Sequence, residues 1–581
     1  MNRLSSLTSN GKNTNSYNLR IFLLLSAILI FLGLIGLRLF ILQVLNHSYY
    51  EALSDNQHGS ETTLLAKRGE IYLTEAKSDS AVLVATNITK NLVYANQKVI
   101  TDPDNTAARL APLLEMSKFD VALKLSGDSS YTILKKQLSD EISAQILALK
   151  IPGIYLEPEE IRFYPQKSLA SQVIGFLGFQ GDQRLGQYGI EGKFEKQLAG
   201  SSGIQGIEKD AAGRWITFVD RLFVPSQDGD DIYLTLDPAI QFNAQEALKK
   251  SVETHQADSG SVVVINPKTG AILAMASFPD FDPNSYNKVD DISVYSNLTL
   301  SLDYEPGSVF KPITMAAALN EGKVTPETTY EDLGVVQVDD KQIKNSDGEA
   351  HGTQNMTQVL EQSLNTGAIF AEQQVGNKTF KEYVKKFGFG KSVEMALPGQ
   401  VAGNLDNLNK RGDVFFATAA FGQGITVTPI QLIQAFTAIA NGGKMVKPYI
   451  INKIVHPDQT EEITDKAKET QVIDSKTAAT LSAMLVNVVE NGHGKRAAVG
   501  GYYLAGKTGT AQVAYKDRVG YDPNRNIGTF IGFGPVDNPQ FLMLVRIDNP
   551  KDVKFAESTA APTFGQIAEF ILNYLQIPPS R

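Results

Sequence analysis

A serine that is to attack a carbonyl needs a neighbour able to take its proton. One pair in this chain has the spacing for it, in Ser308-Val-Phe-Lys311. Three residues along a helix place two side chains on one face, about 5–6 Å apart at Cβ, so Lys311 can reach the Ser308 hydroxyl. Lys311 must then be neutral, which burial and a nearby cation both favour. Pro306-Gly307 breaks the chain just before, and 314–319 is good helix former, so Ser308 falls near a helix N-terminus, where free N–H groups and the dipole favour developing negative charge. Pro312 fits only if that helix begins close to Ser308.

Two more segments follow in order, Ser363-Leu-Asn365 and Lys507-Thr-Gly-Thr510. Lys507 is the candidate cation. The hydroxyls of Thr508 and Thr510 suit a substrate carboxylate, and Gly509, without a side chain, leaves room for substrate backbone. Backbone N–H groups of Ser308 and Thr510 are candidates for an oxyanion hole. Ser363 can pass a proton to a leaving amine while Asn365 binds a substrate amide. Each motif alone is common; the three in this order specify a serine acyl transfer.

Composition narrows the alternatives. The chain has no cysteine, which excludes thiolate nucleophiles, disulfides and Cys-held metals. Its six histidines (47, 58, 255, 351, 456, 493) never fall at HxxxH spacing, so no metal or cofactor is expected. Against 54 Lys plus Arg stand 63 Asp plus Glu, a net charge of −9, and nucleic acid is not an expected partner.

The elements that must position these residues are legible in outline. Residues 232–236 read as a strand; Asp237-Pro238 then starts a helix reaching about 252, with Asp as N-cap and Pro at the first position. Residues 261–265 and 271–276 around Asn266-Pro-Lys-Thr-Gly270 read as a β-hairpin. Downstream, 528–533 and 541–547 are strand-like, and 562–575 has helical apolar spacing. Strands, then many helices, then strands describe an α+β domain whose sheet is closed by elements from both ends. Before it, 46–235 is mixed: helical pieces at 107–114 and 140–149, strands in Val-Leu-Val-Ala-Thr-Asn and Gly-Ile-Tyr-Leu-Glu-Pro, and a Gly/Ser-rich loop at 200–206.

Residues 21–37 carry no charge, and beyond Arg38 the apolar run continues to 45, the length of about 20 helical residues that a bilayer requires. No A-x-A-like cleavage site follows, so the segment is expected to stay as an anchor. Arg3, Lys12 and Arg20 in a tail without acids place residues 1–20 in the cytoplasm and everything after about 46 outside.

With the three motifs in this order, the chain resembles the class B penicillin-binding proteins, single-pass peptidoglycan transpeptidases. The resemblance extends to Arg162-Phe-Tyr-Pro165, Gly189-Ile-Glu191 with Gly200, Lys209-Asp-Ala-Ala-Gly-Arg214, Tyr304-Glu-Pro-Gly-Ser308, Asn345-Ser-Asp-Gly348, Phe421-Gly-Gln-Gly424 with Thr428-Pro429, and 506–512. It implies a penicillin-binding fold, a central antiparallel sheet with helices, over 236–577. It also implies a non-catalytic, dimerisation-like pedestal over 46–235 behind the tail (1–20) and the membrane helix (21–45). The implied activity is D,D-transpeptidation of peptidoglycan stem peptides through an acyl-enzyme on Ser308, with β-lactams as covalent inhibitors. A separate membrane glycan polymerase and other division proteins are implied partners. The Tyr-Glu-Pro-Gly-Ser wording is closer to the division-specific branch than to the elongation branch. A D,D-carboxypeptidase, a β-lactamase and a non-enzymatic β-lactam-binding scaffold are the competing readings. The chain departs from the family where Arg68-Gly-Glu-Ile-Tyr72 is followed by Leu73-Thr-Glu75, in place of the usual Asp-Arg. Trp215 is expected to pack, Asp210 and Arg214 to pair structurally, His351 to sit in a loop, and Gly422 and Gly424 to permit a tight turn beside the site.

Overall fold

A computed structural model describes residues 14–45, 59–181, 183–208, 223–465, 468–515, 518 and 520–581. Arg3, Lys12, and the segment holding Asp210, Arg214 and Trp215 lie outside the described residues. The chain divides into two units, residues 1–66 with 201–227, and residues 67–200 with 228–581.

In the first unit, Thr14–Phe40 is one α-helix, continued by a wider turn at Ile41–Leu45. Its stretch Leu23–Phe40 has a mean hydropathy of 2.5 and is long and apolar enough to cross a membrane. Residues 200–206, expected as a loop, instead lead into a strand, Gly203–Glu208, paired antiparallel with Gly59–Leu64. Glycine is what the pairing needs: a Cβ on Gly203 would come within 2.2 Å of the Val224 carbonyl on the next strand.

The second unit is built on two sheets. The catalytic sheet has five antiparallel strands in the order 272–278, 259–265, 541–548, 521–534, 505–514. Its first hairpin closes where expected, Asn266 accepting from the backbone of Lys268 and Thr269 and Gly270 taking a φ of +83°. Every residue of Phe541–Asp548 is buried, and alternate side chains feed two cores. Leu542 and Leu544 join Val263, Ile265 and Phe310. Met543 and Val545 join Val262, Val264 and Phe564 beneath the helices Pro238–Thr254 and Ala560–Tyr574. Burial on both faces is why these strands read as apolar runs and not as alternating patterns. Asp237 caps the first helix, accepting from the N–H groups of Ala239 and Ile240.

The other sheet has seven strands, in the order 461–463, 451–455, 231–234, 71–74, 81–95, 132–138, with 154–163 also on 81–95. It crosses the boundary expected at 235/236, because Ile451–Val455 pairs with Asp231–Leu234, which runs parallel to Ile71–Thr74. Helices Pro103–Leu114 and Asp140–Ala148 pack on it, each starting at a side-chain cap, Asp102 and Ser139.

Two of the segments quoted for the family resemblance, and the Arg68 segment at which the chain departs from it, meet at one buried carboxylate here. Glu191, fully buried, receives Arg162 Nε at 2.7 Å, Arg68 Nη2 at 2.6 Å and the Tyr164 hydroxyl at 3.2 Å. Arg68 also reaches Glu195 at 2.7 Å. Burial alone would raise the Glu191 carboxyl, but the two guanidiniums outweigh it and hold it below its ordinary range.

Candidate active site

Ser308 sits in a single 3₁₀ turn, Gly307–Phe310, and the α-helix Lys311–Asn320 starts directly after it with Pro312 in its first turn, where its missing N–H costs nothing. The Lys311 N–H donates to the Ser308 carbonyl, closing the turn. In a 3₁₀ turn, residues three apart eclipse, so the two side chains leave the backbone on one side. Val309 and Phe310, both fully buried, anchor the turn, while Ser308 stays half-buried. The Ser308 hydroxyl makes no protein hydrogen bond among the described residues, and Lys311 is turned to Ser363.

Ser363 is the hub of the site. Lys311 Nζ donates to the Ser363 carbonyl and, at 3.2 Å, to its Oγ. Lys507 Nζ donates to the same Oγ at 2.9 Å and to the Thr508 carbonyl at 3.1 Å. Ser363 lies between the helices Met356–Glu361 and Asn365–Val375 with a φ of +58°, a left-handed conformation uncommon outside glycine. The lysine contacts hold it there. A hydroxyl oxygen that accepts two N–H bonds keeps its own proton to give.

Both lysines are fully buried, and burial disfavours their charged forms. Lys311 is pushed well below its ordinary pKa, by burial first and by the Lys507 charge next, with Asp347 pulling weakly the other way. Burial brings Lys507 to about 7. Burial and the Lys507 charge therefore both favour the neutral form of Lys311.

Lys507 lies on the edge strand Ala505–Ala514, which packs on the nucleophile's turn. A Cβ on Gly509 would lie 2.9 Å from Val309 Cγ1, 3.0 Å from the Val309 nitrogen and 3.1 Å from the Pro306 carbonyl. The space its missing side chain leaves is thus filled by the turn that carries Ser308, and not kept open for a ligand. Thr510 Oγ1 accepts from the Ala556 N–H at 3.1 Å and retains its proton, and Thr508 is largely buried. Asn365 donates its amide to the Lys344 carbonyl at 2.9 Å.

Several positioning groups carried no readable chemistry. Asp332, fully buried, accepts from Asn345 Nδ2 at 2.8 Å and Thr366 Oγ1 at 2.8 Å, and Asn345 Oδ1 in turn accepts the Asn365 N–H at 2.9 Å. This network sets the turn that presents Ser363. His351 pairs with Asp347 at 3.0 Å in a loop as expected, and Gly422 and Gly424 have φ of +78° and +71° in a turn whose Gly422 carbonyl accepts the Gly307 N–H.

Glu305 clasps the two flanks of the nucleophile's turn. Its carboxylate accepts from the Gly424 N–H at 3.0 Å and from the Tyr521 hydroxyl at 2.9 Å, and burial raises its pKa. Glu305→Ala and Tyr521→Phe are each expected to slow acylation by a penicillin about ten- to hundredfold, the worth of one charge-assisted hydrogen bond at 1.36 kcal/mol per tenfold. Because both break the same contact, the double variant should be no slower than the slower single one; effects that multiply would show that the clasp does not act as a unit.

Residues 260–569 match the penicillin binding protein transpeptidase domain, and residues 63–234 match the penicillin-binding protein dimerisation domain. The chain therefore belongs to the class B penicillin-binding protein family. It is 34% identical to the stage V sporulation protein D of Bacillus subtilis, over 97% of this chain and 86% of that protein. It is 31% identical to a probable peptidoglycan D,D-transpeptidase of Pseudomonas aeruginosa, PbpC, over 93% of each. Among solved structures it resembles penicillin binding protein 3 of Mycobacterium tuberculosis complexed with aztreonam, with a TM-score of 0.69 at 26% identity, covering 90% of this chain and 98% of that one.

Proposed function

We propose that this chain is a membrane-anchored, division-type peptidoglycan D,D-transpeptidase working through a serine acyl-enzyme. The observation that carries the reading is the pair of buried lysines joined through Ser363, beside the turn that presents Ser308. Neutral Lys311 takes the Ser308 proton as Oγ attacks the carbonyl of the penultimate D-Ala in a donor stem. The backbone N–H groups of Ser308 and Thr510 receive the oxyanion, Asn365 orients the stem amide, and Thr508, Thr510 and charged Lys507 bind the terminal carboxylate, with the Gly509 backbone between them. Ser363 relays a proton to the departing D-Ala nitrogen. The amine of a neighbouring stem then displaces Oγ from the acyl group, giving the cross-link and restoring the serine. A β-lactam enters the same path but keeps its leaving group tethered. The tail 1–20 stays cytoplasmic, 21–45 spans the membrane, 46–235 is the outer pedestal of the transpeptidase domain 236–577, and a separate membrane glycan polymerase and other division proteins are its partners.

The test is turnover by the full-length protein in detergent micelles, with a stem-peptide donor ending in D-Ala-D-Ala and a D-amino acid acceptor, followed across pH. Acceptor should appear in the product; release of D-Ala with hydrolysis alone would make the chain a carboxypeptidase. With Lys507 titrating at about 7 in the free protein, kcat/KM should fall as pH rises through that value, because the carboxylate-binding charge is lost. A bound carboxylate stabilises the charged lysine and raises its pKa, so the basic limb of kcat should lie higher. Identical basic limbs for kcat and kcat/KM would remove Lys507 from carboxylate binding.

A further inference from the structure

A cavity of about 770 Å³ lies apart from the lysines, between the hairpin 176–187 with the segment after it, residues 295–301, and residues 397–399. The function above leaves it unused. Its walls combine aromatic surface with neutral amides and hydroxyls: Phe179, Gln180, Gln187, Tyr188 and Ser296. Among the described residues, the one charged side chain lining it is Lys193, and no carboxylate faces it. Phe179 is 55% exposed on its hairpin, with Arg184 stacked over its ring at 5.0 Å. Tyr188 is held at φ 57° and ψ 176°, a region essentially reserved for glycine, with its ring 5.2 Å from Tyr295 and 5.8 Å from Phe176. Strain of that kind persists only where the surrounding structure imposes it, and it fixes an aromatic ring at the cavity wall.

We propose that this cavity is a second site for the same polymer, and that it seats the glycan strand that carries the stem peptides. This rests on the transpeptidase reading for the identity of the polymer, not for the chemistry of the site. N-acetylated sugars present apolar C–H faces that lie on aromatic rings, together with hydroxyls and amides that exchange hydrogen bonds with Gln and Ser side chains. They carry no positive charge that would call for a carboxylate, and their lactyl-linked substituents bring acyl oxygens that suit a single lysine. The wall residues 295–301 lead within the same chain segment to the nucleophile at Ser308, so a strand held here stays attached to the domain while its stems are processed. An acidic or apolar peptide partner would want a charged or wholly apolar groove, which this is not.

The experiment uses full-length protein in detergent micelles and a peptide-free oligosaccharide of alternating N-acetylglucosamine and N-acetylmuramic acid, with binding read by saturation-transfer NMR and calorimetry. The parent should bind. Phe179→Ala and Gln180→Ala, both at an exposed hairpin, should each weaken binding about tenfold or more while leaving penicillin acylation of Ser308 within about twofold. Absence of binding to the parent, or binding unchanged in both variants, overturns the proposal. Binding of a stem peptide without sugar at this cavity, in place of the glycan, overturns it as well. If penicillin acylation fails while variant-sensitive glycan binding remains, the transpeptidase reading falls and the glycan site stands.

Discussion

Lys311→Arg is expected to lose acylation by penicillin almost as completely as Lys311→Ala. Arginine keeps the charge and a similar reach but stays protonated at any relevant pH, so it can donate to Ser363 and still not accept a proton from Ser308. General-base action is typically worth about 10²–10⁴ in rate, roughly 3–5 kcal/mol at 1.36 kcal/mol per tenfold. The structure sharpens the expectation, because Lys311 is 1% exposed, and burial and the Lys507 charge both lower its pKa against the pull of Asp347. The measurement is the second-order acylation rate of each full-length variant with one penicillin, after both are shown to melt cooperatively. Acylation of Lys311→Arg within about tenfold of the parent would mean that the proton leaves by another route, with Ser363 the first candidate.

Glu191→Ala should be the most destabilising single change outside the active site. It strands the Arg162 guanidinium, whose side chain is 2% exposed, and leaves Arg68, 10% exposed, with Glu195 as its remaining carboxylate. Removing one partner of a buried pair typically costs about 3–5 kcal/mol, because the remaining charge stays desolvated. At about 2–4 °C per kcal/mol for domains of 150–250 residues, the midpoint should drop by roughly 5 °C or more. Glu469→Ala is the control: its contact with Lys444 is a surface pair with both side chains more than 40% exposed, and its loss should leave the melt unchanged. A Glu191→Ala melt indistinguishable from the parent would show that the three segments meeting at this carboxylate do not depend on it.

These two residues mark the limits of reading the chain unaided. The chemistry at Lys311 was legible because nucleophile and base are three residues apart, and local geometry dictates their shared face. The hairpin around 266–270 and the helix after Asp237 were legible for the same reason: turn and cap are written in consecutive residues. Glu191 carries no local signal, since its arginines lie 29 and 123 residues away. Asp332 is similar, its partners Asn345 and Thr366 standing 13 and 34 residues on. The strand at 203–208 was hidden because glycine suggests a loop wherever the close approach of a neighbouring backbone is unseen. Gly509 was legible as a close approach, but the partner is the protein's own turn. The extension of the pedestal sheet by 451–455 could not be read at all, because nothing in a short apolar strand names the strand it will join.

The most direct test of the account is mass spectrometry of the full-length protein in detergent after incubation with a penicillin. One adduct of the drug's mass is expected, on the peptide containing Ser308, persisting for hours and absent from Ser308→Ala. A stable adduct on any other residue, or rapid turnover of the drug with no adduct held, would contradict it.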